Sequence, residues 1–207
     1  MQIKTWQKVV FVGSIVAFVL YYKRDALKKY FDFSKLTTLF ANKWVGIKEI
    51  GFNKAFSNEV FQNMLKNVGW NSGEAWCMYF AKAIHFEVYK DKPQVQEKIK
   101  KILTGSTQQS FKNAQNDKTG TYTTTTSPKV GDIAIWQNKY DLSKGHAGVV
   151  AQVNRDTITT IEGNTGDRNV SEGDLVAKKE RPRAINQPIG SGSNLILRGY
   201  IRKLDNA

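Results

Sequence analysis

The chain of 207 residues contains a single cysteine and only two histidines. One cysteine cannot form an intramolecular disulfide, so a disulfide-stapled scaffold is excluded and cysteine usage does not indicate a compartment. No group of Cys and His residues has the spacing of zinc ligands. The sequence also lacks internal repeats and a glycine-rich phosphate-binding loop. These absences argue against zinc-finger, repeat and nucleotide-binding proteins.

Acidic residues are scarce as well. There are 18 Asp and Glu against 31 Lys and Arg, which gives a formal net charge of +13. A balance this basic suits nucleic acid, an anionic membrane surface or an anionic cell wall. The basic residues are spread along the chain, and no nucleic-acid-binding motif accompanies them. We therefore expect a solvated basic surface suited to an anionic wall, and no nucleic-acid partner.

The lone cysteine stands where a catalytic nucleophile would be placed. Residues 73–80 read as a turn that runs directly into a helix, with Cys77 in the first turn. Downstream, glycines flank His146, and a predicted strand ends in the sequence Ile161-Glu162-Gly163-Asn164. A thiol, an imidazole and a carboxylate or carboxamide are the groups of a cysteine-hydrolase site. Their order along the chain is typical of papain-like enzymes.

Each of these groups has a chemical task. The thiolate attacks a carbonyl, and a helix N-terminus and a nearby imidazolium both favour the thiolate form of Cys77. His146 would take the thiol proton and return it to the leaving amine. Glu162 or Asn164 would hold the imidazole tautomer, and their spacing on an extended segment predicts that both face the same side. Glu162 is favoured as the direct partner, with Asn164 as the alternative.

Four segments in register resemble the CHAP family, the cysteine, histidine-dependent amidohydrolases/peptidases. In chain order they are residues 69–77, 131–136, 145–150 and 161–165. Two further stretches, 44–53 and 197–201, are similar to versions of the domain common in Bacteroidetes and their phages. The resemblance covers roughly residues 40 to 204 and leaves the N-terminus unexplained.

The resemblance implies a papain-like fold and cleavage of an amide bond in peptidoglycan. The bond is either the N-acetylmuramoyl–L-alanine bond or one within the stem or cross-bridge peptides. By position, Cys77 carries over as nucleophile, His146 as base, and Glu162 and Asn164 as the orienting pair. Some CHAP lysins bind calcium in an acidic loop before the cysteine, but residues 67–72 contain no carboxylate. We expect no metal there and no cofactor.

Other residues have simpler interpretations. His85 lies about two turns beyond Cys77 on the same predicted helix, too far along the axis for contact, so packing is expected. Asp132 follows a glycine at a strand start and is typical of a turn or cap. Trp76 and Trp136 are candidates for lining a substrate groove, although core packing is the usual place for such rings.

The N-terminus carries an uncharged, mainly apolar run from Val9 to Tyr22, bordered by Lys8 and by Lys23 and Arg24. As a helix it would span about 21 Å, short of the roughly 30 Å hydrocarbon core. We expect an uncleaved membrane anchor with a basic amphipathic extension, residues 1–33. A cleaved signal peptide, which lacks a small-x-small cleavage site here, and a helix packed on protein are the alternatives.

Residues 34–207 are predicted to form one α+β domain, with helices packed on an antiparallel sheet. Helices are expected near residues 35–43, from a Ser57 cap to Asn67, at 77–89 and at 93–103. Strands are expected at 133–136, 147–153, 157–161 and 195–201. Residues 118–129 read as a loop or edge strand, and residues 166–192 as a long surface connection with at most one strand.

The sequence thus favours a membrane-tethered, papain-like cysteine amidase or endopeptidase that acts on peptidoglycan. It would face the periplasm or cell wall, or be carried in a phage particle as a lysin. One alternative is a non-catalytic virion or envelope component that docks on the wall within a larger assembly. Another keeps the chemistry but changes the substrate, as in protein deamidation or acyl transfer. The oligomeric state stays open.

Overall fold

The computed structural model describes residues 33–166 and 173–204. The predicted hydrophobic N-terminal helix, its membrane-anchor role and the boundary after residue 33 depend on residues outside this part, so they stay predictions. No helix in the described part is both long enough and apolar enough to cross a membrane.

Within these residues, helices come first and a sheet follows. The helices are α1 Phe33–Asn42, α2 Glu59–Asn67, α3 Cys77–Val88, α4 Pro93–Ile102 and α5 Thr107–Gln115. A short hairpin, β1 Glu49–Ile50 and β2 Ala55–Phe56, lies between α1 and α2. The remaining strands are β3 Tyr122–Thr125, β4 Ile133–Asn138, β5 Gly145–Val153, β6 Thr157–Thr165, β7 Leu175–Pro182 and β8 Leu195–Lys203.

Strands β3 to β8 form a single six-stranded sheet in the order β3-β8-β4-β5-β6-β7. Every neighbouring pair is antiparallel. The mixture of helices with an antiparallel sheet is the predicted α+β class and fits a CHAP fold. The threonine-rich strand β3 is an edge strand, but it lies at the end of the sheet away from β5 and β6.

The helix starts follow from local side-chain chemistry. At α2 the capping residue is Asn58, whose side chain accepts a hydrogen bond of 2.9 Å from the Phe61 N–H. The predicted cap, Ser57, was one residue early. Helix α4 begins with Pro93, whose missing N–H costs nothing in a first turn. Helix α5 was not predicted, although Ser106 caps it.

The two faces of the sheet bury two separate apolar clusters. Along β4, Ile133 and Ile135 join the large cluster that includes the helices, whereas Ala134 and Trp136 join the second cluster. Ile189 also belongs to that second cluster, and Pro188 pairs with a β8 residue. The predicted surface connection at residues 166–192 is therefore partly wrong. It supplies strand β7 and then a segment that covers one face of the sheet.

Helix α3 packs directly against the sheet. Most of its residues are buried, and it packs against β5 and β6. A β-carbon added at Gly163 on β6 would lie 2.6 Å from the Trp76 ring and 2.7 Å from the Phe80 Cβ. Real β-carbons essentially never approach other atoms so closely. The absence of a side chain at Gly163 is therefore what lets the start of α3 approach β6.

Candidate active site

Cys77 is the first residue of α3, as the sequence predicts. Trp76 occupies the N-cap position, and no side chain caps this helix end. The thiol is free and only 6% exposed. A cavity of about 330 Å³ opens beside it and is also lined by Gly145 and Asn164. The sulfur is thus at a helix N-terminus and at the wall of a cavity that could admit part of a substrate.

His146 lies on β5 with its ring completely buried. Its Nε2 is 3.1 Å from Glu162 Oε2, and its ring lies against the Trp136 ring at 5.9 Å between centroids. The other nitrogen, Nδ1, has no hydrogen-bond partner of ordinary geometry among the described residues. Burial alone would lower the pKa of His146, but its interactions with Cys77 and Glu162 raise this pKa to about 9. The imidazolium is therefore the favoured form at neutral pH.

The Glu162 carboxylate is held from several directions. Arg181 donates to it twice, from Nε at 2.9 Å and from Nη2 at 2.7 Å. The hydroxyls of Thr160 and Thr165 donate at 2.5 and 3.2 Å. Burial would raise the pKa of Glu162, but Arg181 and His146 together hold it well below its usual range. Glu162 is thus a fixed anion in contact with the imidazole.

A second glycine makes room for this carboxylate. A β-carbon at Gly148 on β5 would lie 2.7 Å from Glu162 Cγ and 3.1 Å from Thr160 Cβ. Gly148 lies in the segment 145–150, which resembles the CHAP family. The structure supplies its physical role, because a larger residue there would displace the Glu162 side chain from His146.

Asn164 departs from the extended geometry assumed for it. Its φ is +53°, in the left-handed region, and the pairing of β6 with β7 shifts register between Glu162 and Thr165. The side chain lines the cavity beside Cys77, and its buried Nδ2 has no partner within the described residues. His146 Nε2–H donates to the Glu162 carboxylate, so Glu162 and not Asn164 is the partner of the imidazole.

Trp76 and Trp136 lie beneath the site. Both rings are 0% exposed, and neither lines the cavity. The Trp76 Nε1–H donates to Glu49 Oε2 at 2.7 Å, and Trp136 lies opposite His146 in the sheet. Their predicted contact with substrate remains a prediction, and the structure gives them a packing role under Cys77 and His146.

His85 and Asp132, to which the sequence assigns no catalytic role, both make hydrogen bonds away from the site. His85 is buried, with its ring nitrogens 2.9 Å from the Tyr122 hydroxyl and 3.1 Å from the Gly131 carbonyl. Asp132 accepts the Lys129 N–H at 2.7 Å and pairs with Arg202. Neither contacts the Cys77 and His146 pair.

Arg181 on β7 is the residue of this site that the sequence analysis missed. It is 3% exposed and belongs to the charged run Lys178-Lys179-Glu180-Arg181. Such a run usually marks a solvated face, and only the alternation of exposure along β7 reveals that Arg181 points inward. The sequence alone gives no signal for the role of Arg181, because it does not show which strand pairs with β7.

Among the described residues that line the cavity, one is charged, Lys144, which also forms an exposed 3.5 Å ion pair with Asp141. Within the described ranges, no group of three His, Cys, Asp or Glu residues is arranged to hold a metal ion. The prediction that no metal binds before the cysteine stays a prediction.

A helix-borne thiol, a strand-borne imidazole and a buried carboxylate on an α+β scaffold define a papain-like class of site. The CHAP domain family model matches residues 68–164, a span that includes Cys77, His146, Glu162 and Asn164. This span belongs to the CHAP domain family, which confirms the resemblance found in the sequence. No curated protein and no solved structure matches the chain at a significant level.

Membership has a general consequence for activity. CHAP domains are typically cysteine/histidine amidohydrolases or peptidases, and the domain implies a peptidoglycan-related activity of that kind.

Proposed function

We propose that the chain is a peptidoglycan hydrolase that cleaves an amide bond with the Cys77 thiolate as nucleophile. The bond is either N-acetylmuramoyl–L-alanine or one within the stem or cross-bridge peptides. One observation carries this proposal: the buried His146 ring is fixed by Glu162 at 3.1 Å and interacts with Cys77. A free cysteine merely packed in a core would not need a charged histidine beside it.

In the resting site the proton of Cys77 is already on His146, and in the first half of the reaction the Cys77 thiolate attacks the carbonyl carbon of the bound amide. The carbonyl electrons move to oxygen and form a tetrahedral oxyanion. When the C–N bond breaks, the His146 proton passes to the leaving nitrogen. The products are a free amine and a thioester between the acyl group and the Cys77 sulfur.

The N-terminus of α3 supports this step in two ways. Its partial positive charge favours the thiolate over the thiol. Its first backbone N–H groups are not capped by any side chain, so they are free to donate toward the oxyanion. Asn164, which lines the same cavity, is a further candidate for contact with the substrate.

In the second half, a water molecule gives a proton to His146 and attacks the thioester carbonyl. The C–S bond breaks, the carboxylic acid leaves, and the sulfur departs as a thiolate beside the His146 imidazolium, which restores the resting site. Glu162 stays ionised throughout, because its role is to hold the ring and stabilise the imidazolium.

We propose further that the apolar run Val9 to Tyr22 tethers the domain to a membrane, facing the periplasm or the cell wall. Delivery in a phage particle as a lysin is the related possibility. The net charge of +13 supports a partner that is anionic, as peptidoglycan and its attached polymers are.

The test of the catalytic proposal is a digest of purified peptidoglycan from several wall types by the full chain, analysed by mass spectrometry. We expect the wild type to release free stem peptides or fragments of cleaved cross-bridges, and Cys77→Ala to release none. The fragment masses would name the bond. Glu87→Ala, near the other end of α3, is the matched control and should retain activity. Because the chain has one cysteine, alkylation by iodoacetamide should reproduce the Cys77→Ala result.

Two outcomes would contradict this proposal. Equal release by Cys77→Ala and by the wild type would show that the thiol is not the nucleophile. Binding to every wall type without release by the wild type would favour the non-catalytic docking protein.

A further inference from the structure

We propose that Arg181 is a positioning residue that keeps Glu162 ionised and aimed at His146, and that it thereby sets the pH range of activity. The proposal rests on the proposed function, because it assigns Arg181 a part in the Cys77 and His146 reaction. It concerns a residue outside the matched CHAP span, which ends at residue 164.

The first support is geometric. The Arg181 guanidinium uses Nε and Nη2 for the two oxygens of Glu162, a two-point contact that fixes the plane of the carboxylate. Its Nη1 donates to the Ile189 carbonyl at 3.2 Å, which holds the guanidinium from the other side. With its plane fixed, the carboxylate can place Oε2 within 3.1 Å of His146 Nε2.

The second support is the shared burial of the pair. Glu162 is 0% and Arg181 3% exposed, so neither charge is stabilised by water. A carboxylate buried in this way favours its protonated form unless a cation is beside it. Without Arg181, Glu162 would take up a proton in addition to that of His146 at a higher pH than in the wild type, and below that pH it would no longer stabilise the imidazolium. Arg181 therefore preserves the charge on which the orientation and protonation of His146 depend.

The third support is the balance of charge. Arg181 cancels the charge of Glu162, so the charge that balances the His146 imidazolium during the reaction is the Cys77 thiolate. Without Arg181, Glu162 and His146 would hold their shared proton more tightly, because losing it would leave an isolated buried anion. His146 would then give its proton less readily to the leaving amine.

Among the described residues, few groups face Glu162. From β7 comes Arg181, from β5 His146, and from β6 itself the uncharged hydroxyls of Thr160 and Thr165. Cys77, on α3, acts on Glu162 only through His146. Removing Arg181 thus removes the positive charge that contacts Glu162 directly, and both proton-binding steps of the Glu162 and His146 pair should move to higher pH.

The experiment compares Arg181→Met and Arg181→Lys in the full chain, using the pH dependence of kcat/KM on soluble peptidoglycan fragments. For Arg181→Met we expect the acidic and the alkaline limb of the pH profile both to shift to higher pH. The shift should be about one pH unit or more, which is the size of an arginine's effect on the pKa of a carboxyl group. At neutral pH we expect a loss of about 100-fold, typical of a misplaced catalytic group. Arg181→Lys keeps the charge, so its limbs should stay closer to those of the wild type.

Arg202→Met is the matched control, since Arg202 makes a similar two-point contact with the buried carboxylate of Asp132. It removes an arginine–carboxylate pair from the same sheet without touching His146. We expect it to lower stability while leaving both limbs in place. A purely structural role for Arg181 would give the same result as this control, and that outcome would overturn the proposal.

A second measurement separates this proposal from the catalytic one. The chain has only two histidines, and burial lowers the pKa of His85 to about 3. Between pH 5 and pH 11, roughly two units above the His146 pKa, any pH-dependent change in the imidazole signals of the ¹⁵N-histidine-labelled chain therefore reports His146 alone. We expect His146 to titrate at higher pH in Arg181→Met than in the wild type, whether or not either digests peptidoglycan. An unchanged His146 titration would refute the role of Arg181 even in an active enzyme.

Discussion

The two histidines of this chain are equally buried but have opposite protonation behaviour. His85 faces a tyrosine hydroxyl and a backbone carbonyl, and burial lowers its pKa to about 3. His146 is buried too, yet Cys77 and Glu162 raise its pKa to about 9. Burial lowers the pKa of both rings, and only His146 has the contacts with Cys77 and Glu162 that raise it. A buried histidine becomes a site residue when ionisable groups contact it.

Glu162→Gln tests this at the residue scale. The glutamine keeps the size of the side chain and removes the charge, so the His146 pKa should fall and the alkaline limb of kcat/KM should move to lower pH. We expect kcat to drop by about 10³ to 10⁴, since replacing a triad carboxylate by an amide has an effect of this order. The measurement is a pH–rate profile of the purified variant.

Asp132→Asn is the control for that change, because it neutralises another buried carboxylate that pairs with an arginine. It should leave the alkaline limb where it is. The role of Glu162 would be contradicted if Glu162→Gln lost activity equally at every pH, with no movement of the limb.

At the scale of elements, the site depends on how closely α3 approaches β6. Gly163 is the contact point, because a methyl group there would overlap the Trp76 ring and the Phe80 Cβ. We therefore expect Gly163→Ala to lower the free energy of unfolding by about 1 to 3 kcal/mol, the usual cost of overpacking. The helix should also move away from the sheet and separate Cys77 from His146, so activity should fall beyond what unfolding explains.

Urea unfolding followed by fluorescence, with kcat/KM measured on the folded fraction, checks both parts of this expectation. Thr159→Ala, at a half-buried position of β6, is the control and should change stability by about 0.5 kcal/mol or less. If Gly163→Ala left stability and activity unchanged, α3 could shift to accommodate the methyl group without separating Cys77 from His146.

Sequence reasoning worked where local chemistry decides the structure. A helix starting at Cys77 and the strand carrying His146 were predicted within a few residues, because each is bounded by a local turn or a change of period. Helix α5 was missed, since Thr107–Gln115 is mostly polar and its apolar residues are limited to Phe111 and Ala114. The α2 cap was predicted one residue early. Ser57 and Asn58 are both favourable capping residues, and which of them caps the helix depends on the folded structure.

The rest of the site could not be predicted for a physical reason. Arg181 contacts Glu162 only because β7 pairs with β6, and strand pairing is a long-range property. The left-handed conformation of Asn164 likewise follows from a register shift in that pairing. Cys77, His146 and Glu162 could be selected by chemical type, but the residue that holds Glu162 could be found only from the assembled sheet.

For the whole molecule, the two histidines predict how stability depends on pH. The folded pKa of His85 is below its ordinary value of 6.5, so the unfolded chain binds more protons as the pH falls below 6.5, and stability is lost there. The folded pKa of His146 is raised, so its contribution is complete below 6.5 and is lost as the pH rises toward 9. We expect stability to be greatest near pH 6.5.

Urea unfolding between pH 4.5 and pH 9 measures this dependence, and His85→Gln isolates one side of it. The wild type should lose about 2 kcal/mol more than His85→Gln between pH 6.5 and pH 4.5, since each proton is worth about 1.4 kcal/mol per pH unit. Parallel curves for the two proteins would show that His85 does not control the acidic side.

The position of β8 has a consequence for biosynthesis. This strand follows all the others in the chain, yet it pairs with both β3 and β4 in the interior of the sheet. Until residues 195–203 have left the ribosome, β4 has an unpaired edge and the cluster around Tyr200 and Leu197 is incomplete. The nascent polypeptide should therefore stay inert while it is being translated. Under the proposed function, the cell that makes this chain would meet its activity only after β8 has been translated.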